Sequence, residues 1–150
     1  MIVAIGSDHA GFGLKKHLIQ ILEVWGHEIK DLGCFSEESV DYPSIAETVA
    51  SAVNNGEVRF GVLVCGTGQG MAMAANKIPG IRAAVCQEVF SAGAAREHND
   101  ANILAMGARV IGWGTAELIL REFINTEFAG GRHQRRIDLI SAIENKYLNK

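Results

Sequence analysis

Nothing in this chain approaches the roughly 20 consecutive apolar residues that a membrane-spanning helix requires. Met1-Ile2-Val3-Ala4-Ile5-Gly6 leads straight into a strand, with no basic segment ahead of an apolar signal core. An excess of positive charge is also missing. The net charge of −3 argues against nucleic acid or an anionic membrane as the main partner. Cys34, Cys65 and Cys86 are odd in number and show neither C-x-x-C pairing nor zinc spacing, so a reducing cytoplasm fits best. No internal repeat, low-complexity tract or linker breaks the 150 residues, which reads as one domain over 1–150.

What is present alternates between two periods. Ile2 to Gly6, His27 to Leu32, Phe60 to Cys65, Arg82 to Cys86 and Ile103 to Gly107 read as short strands. Between them lie helical stretches at about Phe12 to Trp25, Ser44 to Val53, Met71 to Lys77 and from Ser91, with a further one over Thr115 to Phe128. In the first, Leu14, Leu18, Ile21, Leu22 and Trp25 share one helical face, and Gly26 closes it. Strand–helix alternation with short turns predicts an α/β fold. The expected form is a three-layer αβα sandwich around a Rossmann-like five-stranded parallel sheet.

The strand ending in Cys65 runs into Gly66-Thr67-Gly68-Gln69-Gly70. Glycines let backbone approach a ligand closely, and N–H groups at a helix start face an anion or a developing oxyanion. A thiol thus stands beside a cradle for negative charge, unless Cys65 is an inert buried hydrophobe. Three common motifs fail at one position. The dinucleotide fingerprint needs glycine at 71, the Walker loop needs Gly-Lys-Ser/Thr, and a cysteine phosphatase loop needs arginine at 71; Met71 stands there. Any phosphate must be held elsewhere.

Ligands in open α/β sheets bind beyond the carboxyl ends of the strands. Asp8 and His9 follow the first strand, Cys65 and Thr67 the third, and Arg109 the fifth, while the helix after the fourth leads to His98-Asn99-Asp100. Asp8 could instead cap the first helix, and His98 could be a plain surface residue. Convergence on one rim favours function. A second anomaly is Gly130-Gly131-Arg132-His133-Gln134-Arg135-Arg136, which opens a helix striped by Ile137, Ile140, Ile143 and Tyr147. Cations in a first turn oppose the macrodipole by roughly 0.3–1 kcal/mol each. A bound phosphate would relieve that; a solvated basic turn or an arginine at a dimer interface is the alternative.

Taken together, Ser7-Asp8-His9-Ala10-Gly11, Cys65-Gly66-Thr67-Gly68 with Ala74-Ala75-Asn76-Lys77, His98-Asn99-Asp100-Ala101-Asn102, Gly107-Ala108-Arg109 and Gly131-Arg132-His133 through Arg136 resemble ribose-5-phosphate isomerase B, a family that includes the galactose-6-phosphate isomerase subunits. The resemblance spans essentially the whole chain. It implies aldose–ketose isomerisation of a sugar phosphate through a cis-enediolate, with no cofactor and no metal. By resemblance Cys65 is the base, and an ordinary thiol titrates near 8.5, close to working pH. Some relatives place a glutamate where Met71 stands, which methionine cannot replace as a base. The N–H groups of Gly66, Gly68 and Gly70 would stabilise the enediolate. Thr67 and His98 would assist ring opening with Asp8 near the ring hydroxyls. His9, Arg109, Arg132 and Arg136 would hold the phosphate, and Tyr42 and Asn99 would line the sugar site.

The resemblance further implies a homodimer, or a tetramer built from it, with the C-terminal helix at the dimer interface and His98–Asn99 facing the other chain's Cys65. Ribose 5-phosphate is the expected substrate. A hexose 6-phosphate such as allose or galactose 6-phosphate is the alternative within the family, and a non-catalytic flavodoxin-like module the alternative outside it.

Overall fold

The computed structural model describes residues 1–148. The five apolar runs form β1 (Ile2–Ser7), β2 (Glu28–Asp31), β3 (Phe60–Cys65), β4 (Ala83–Val85) and β5 (Ile103–Gly107). They pair in parallel in the order β2-β1-β3-β5-β4, with Ser7 opposite Val64 and Cys65 opposite Gly107. All six residues of β3 are buried, as a central parallel strand covered on both faces requires. The expected five-stranded parallel α/β sandwich is therefore what the chain forms.

The connections are α1 (Phe12–Val24), α2 (Tyr42–Asn54), α3 (Gln69–Ala75) and α4 (Val89–Asn99), with α5 (Trp113–Asn125) and α6 (Arg132–Leu148) after the last strand. Right-handed crossovers decide which face each helix covers. α1 and α4 carry the chain one way across the sheet; α2 and α3 carry it the other way. Accordingly Leu14, Leu18 and Leu22 of α1 pack with Ala92 of α4 and Phe123 of α5 over one face. Ile45 and Val49 of α2 pack with Met71 and Ala75 of α3 over the opposite face.

Boundaries shift for local reasons. α2 starts at Tyr42 rather than Ser44, because Pro43 fits the first turn, where no amide hydrogen is needed. α4 starts at Val89 rather than Ser91, since the Glu88 carboxylate accepts the Ser91 N–H and caps the helix from outside. α5 stops at Asn125, short of Phe128, where Thr126 turns extended.

α6 packs against α4. Of its apolar residues Ile137 is buried, whereas Ile140, Ile143, Tyr147 and Leu148 stay exposed within the single chain. Between α6 and the edge strand β4 lies a cavity of about 610 Å3, lined by Ile81, Ala84, Ile140 and Ile143 among others. Among the described residues no helix is long and apolar enough to cross a membrane.

Candidate active site

The chain leaves β1 and β5 towards one face of the sheet and leaves β3, between them, towards the other. The turn after β3 therefore diverges from both neighbours and opens a crevice at the carboxyl ends of the three strands, where open α/β sheets bind ligands. Asp8, Cys65 and Arg109 all emerge there.

Cys65 is buried, and its Sγ accepts the N–H of Gly68 at 3.1 Å. Gly68 adopts φ +81°, a conformation that favours glycine, and a Cβ on it would lie 3.1 Å from the carbonyl carbon of Met106. Gly107 completes the close approach, because a Cβ there would sit 2.8 Å from Thr67 Cα. β5 and the turn after β3 thus meet backbone to backbone. The Thr67 hydroxyl accepts the Gln69 N–H at 3.3 Å. Two of the five N–H groups of residues 66–70 are thereby used within the turn. Gly68, expected as a substrate contact, spends its N–H on the thiol instead, which narrows the candidate cradle to Gly66, Thr67 and Gly70.

Asp8 is buried, and its Oδ1 accepts the Gly11 N–H at 3.0 Å, so it does serve the start of α1. Its own N–H donates to Val64 O at 3.2 Å, which ties it to the strand carrying Cys65. One carboxylate oxygen holds the turn; the residue stands at the same rim as the thiol. Gly11 has no room for a side chain, since a Cβ would fall 2.2 Å from Val64 O. His9 Nδ1 accepts the Val40 N–H at 3.4 Å and pins the loop that leads to α2. Tyr42, at the start of that helix, lays its ring against Gly70, where a Cβ would come within 2.7 Å of Cζ. The Arg109 side chain passes over Gly66, with Nη1 3.6 Å from where a Cβ would be.

The other half of the expected site lies elsewhere. α4 starts at the carboxyl rim but, like any crossover helix, returns the chain to the amino rim; its 11 residues span about 16 Å. At its end Asn102 O accepts the N–H of Gly61, at the beginning of β3, and the carbonyl of Asn99 accepts from Arg82 Nε at 3.0 Å, just ahead of β4. His98 and Asn99 therefore sit at the opposite rim from the Cys65 of their own chain, which corrects the expectation of a single converging rim. His98 stacks on His133, with ring centroids 4.5 Å apart. That contact brings the first turn of α6, with Arg132 and Arg136, to the same rim. The His133 pKa lies below the ordinary value, through burial first and then the nearby His98, Arg132 and Arg136 charges.

Three features escaped the sequence reading. Gln87, just past β4, donates from Nε2 to Thr67 O at 2.9 Å. Its signal is its place directly after a strand, the same signal that marks Asp8, Thr67 and Arg109. Lys15 is fully buried, its Nζ donating to Asp31 Oδ1 and Cys34 O, both at 2.6 Å. No periodicity marks it, because it occupies a position on the apolar face of α1. Cys86 lies beside β5, with its N–H on Ala105 O, and its thiol is pushed up to about 11 by burial and then by Glu88. The Cys86 thiol therefore stays protonated at neutral pH.

The model of the Ribose/Galactose Isomerase family matches residues 3–140. The chain belongs to the ribose/galactose isomerase family. Within it, ribose-5-phosphate isomerase B of Escherichia coli is 48% identical over 96% of this chain and 97% of its own. The structure of Clostridium thermocellum ribose-5-phosphate isomerase B superimposes with a TM-score of 0.97 at 50% identity, covering 98% of this chain and 99% of that one. That of Mycoplasma genitalium ribose-5-phosphate isomerase B with bound ribulose-5-phosphate gives a TM-score of 0.91 at 39% identity, with 96% of each chain covered. The superposition on the Clostridium thermocellum enzyme takes in the five-stranded sheet and the helices around it.

Proposed function

We propose that this chain is an aldose–ketose isomerase interconverting D-ribose 5-phosphate and D-ribulose 5-phosphate, with Cys65 as the base. The observation that carries the reading is the likeness to ribose-5-phosphate isomerase B from one end of the chain to the other. In the open aldose, the Cys65 thiolate takes the C2 proton and the electrons move onto O1. The resulting cis-enediolate collapses to the ketone at C2 as the thiol returns the proton to C1, and a proton passes from O2 to O1. The Gly68 N–H aimed at Sγ is a donor suited to a thiolate. The N–H groups of Gly66, Thr67 and Gly70 are those left to face the enediolate. Thr67 and His98 assist opening of the furanose ring, with Asp8 beside the ring hydroxyls and Tyr42 and Asn99 along the sugar.

The site is shared by two copies of the chain. One copy supplies Asp8, His9, Tyr42, Cys65, Thr67 and Arg109 at its carboxyl rim; the other supplies His98, Asn99, Arg132 and Arg136 at its amino rim. Supporting this is the separation of the two groups within one chain by the length of β3, five steps of about 3.3 Å each. The uncovered apolar residues of α6 give the second copy a surface to occupy. His9 and Arg109 from one side and Arg132 and Arg136 from the other then close on the phosphate.

Turnover of ribose 5-phosphate measured against allose 6-phosphate and galactose 6-phosphate tests the substrate. The pentose phosphate is expected to have the highest kcat/KM. A higher value on either hexose phosphate would reassign the chain to a six-carbon sugar.

A further inference from the structure

Thr67 C=O and Gly68 N–H belong to one peptide unit. In a trans peptide they point to opposite sides. The N–H donates to Cys65 Sγ at 3.1 Å, while the C=O accepts from Gln87 Nε2 at 2.9 Å. Turning this peptide over would break both bonds at once and aim a carbonyl oxygen at the sulfur. Packing holds the unit where Gly68 lies on the Met106 backbone and Thr67 on Gly107.

Gln87 has a further peculiarity. Its Oε1 is buried and has no hydrogen-bond partner among the described residues. A buried acceptor left unpaired destabilises the fold, and an apolar side chain of similar size would avoid that cost. The amide therefore makes poor sense as a stabilising group, and its useful end is the one on Thr67 O.

From this arrangement we infer that Gln87 is a positioning residue for the reaction: it holds the Thr67–Gly68 peptide in the orientation that donates to the Cys65 sulfur, and so favours the thiolate. The inference rests on Cys65 as the base. Asp8 from the β1 turn, Arg109 and Tyr42 stand around the Cys65 turn, and His9 and Glu88 lie one residue from Asp8 and Gln87. All are unchanged in a Gln87 variant, so their fields cancel in the comparison. The partner's His98, where it reaches the site, cancels likewise.

The test is the titration of Cys65 followed by thiolate ultraviolet absorbance, taken as the difference from Cys65→Ala, in wild type and in Gln87→Leu. The leucine variant is expected to titrate about one pH unit higher, leaving roughly tenfold less thiolate at a given pH below the midpoint. The acid limb of its kcat/KM profile should move by the same amount, with KM for ribose 5-phosphate unchanged at high pH. Gln87→His, which keeps a ring N–H at similar reach, should restore the wild-type midpoint. Gln87→Asn, one methylene too short to reach, replaces the leucine variant if that one does not fold. An unmoved midpoint, or kcat/KM lowered evenly at every pH, overturns the assignment. Failure of Cys65 as the base shows differently: kcat/KM would then not follow the thiolate in any variant, whatever Gln87 does to the sulfur.

Discussion

The imidazole of His98 lies nearly flat on that of His133, the two planes inclined by 12°. Burial first, and then the charges of His98, Arg132 and Arg136, make protonation of His133 unfavourable, with Glu97 opposing them. Because its folded pKa lies below the unfolded value, the unfolded chain takes up this proton first. Stability is therefore complete above the ordinary histidine range and falls as the pH drops towards the folded pKa. An anion between Arg132 and Arg136 reverses the local field. The NMR titration midpoint of His133 is expected to lie below the ordinary value in the free protein and to rise with saturating inorganic phosphate. A midpoint that ignores phosphate would mean the anion binds elsewhere.

Cys65→Ala should lower kcat by the 10²–10⁴-fold typical of a lost general base, roughly to the limit of detection, while sugar phosphate binding is largely retained. Incorporation of solvent deuterium at the substrate carbon should vanish with it. Cys86→Ala should leave both untouched, since that thiol, pushed up to about 11, carries no charge at neutral pH. Substantial turnover in Cys65→Ala would assign the base to another residue.

Arg132→Ala and Arg136→Ala should each raise KM, on the order of ten- to a hundredfold, as expected for a charge-assisted contact worth roughly 1.5–3 kcal/mol. A fall in kcat alongside is consistent with phosphate binding energy positioning C1 and C2 against the base. Inorganic phosphate should raise the Tm of wild type more than that of either variant. Equal protection would reduce the basic turn to a solvated surface.

Two inactive variants, Cys65→Ala and His98→Ala, should regain activity when mixed under conditions that exchange subunits. Each mixed dimer then holds one site with both residues intact and one with neither. No recovery, with exchange demonstrated and both variants inactive alone, places the two residues in one chain's site.

The strands were legible because buried parallel strands are short apolar runs between turn residues, as Phe60–Cys65 is. The thiol, its glycine turn and Arg109 were legible for a related reason: each lies at or just past a strand's end, so the sheet's direction alone places them at one rim. His98 was misplaced because nine helical residues, Val89 to Glu97, precede it, and a helix undoes the direction that its strand established. The Gly68 N–H was assigned to a ligand because a sequence shows donors and not their acceptors; here the acceptor is a sulfur three residues back. Gln87 reaches Thr67 from 20 positions away, and although its place after β4 could have flagged the residue, no spacing rule names its partner. The apolar stripe of α6 was plain in the sequence, but whether a stripe is covered is a property of what packs on it.

The last strand to be synthesised, β5, occupies the place between β3 and β4. Until it emerges, both neighbours have a bare edge, and loop closure over some forty residues must precede the pairing that seals them. Such long-range parallel pairing is slow relative to helix formation and leaves apolar edges exposed meanwhile. The thiol turn, which rests on Met106 and Gly107, gains its support at the same moment. On the ribosome, then, the Cys65 sulfur acquires its final setting late, only after Met106 and Gly107 have been made. A chain halted before Gly107 would expose an incomplete sheet with Cys65 at its open margin.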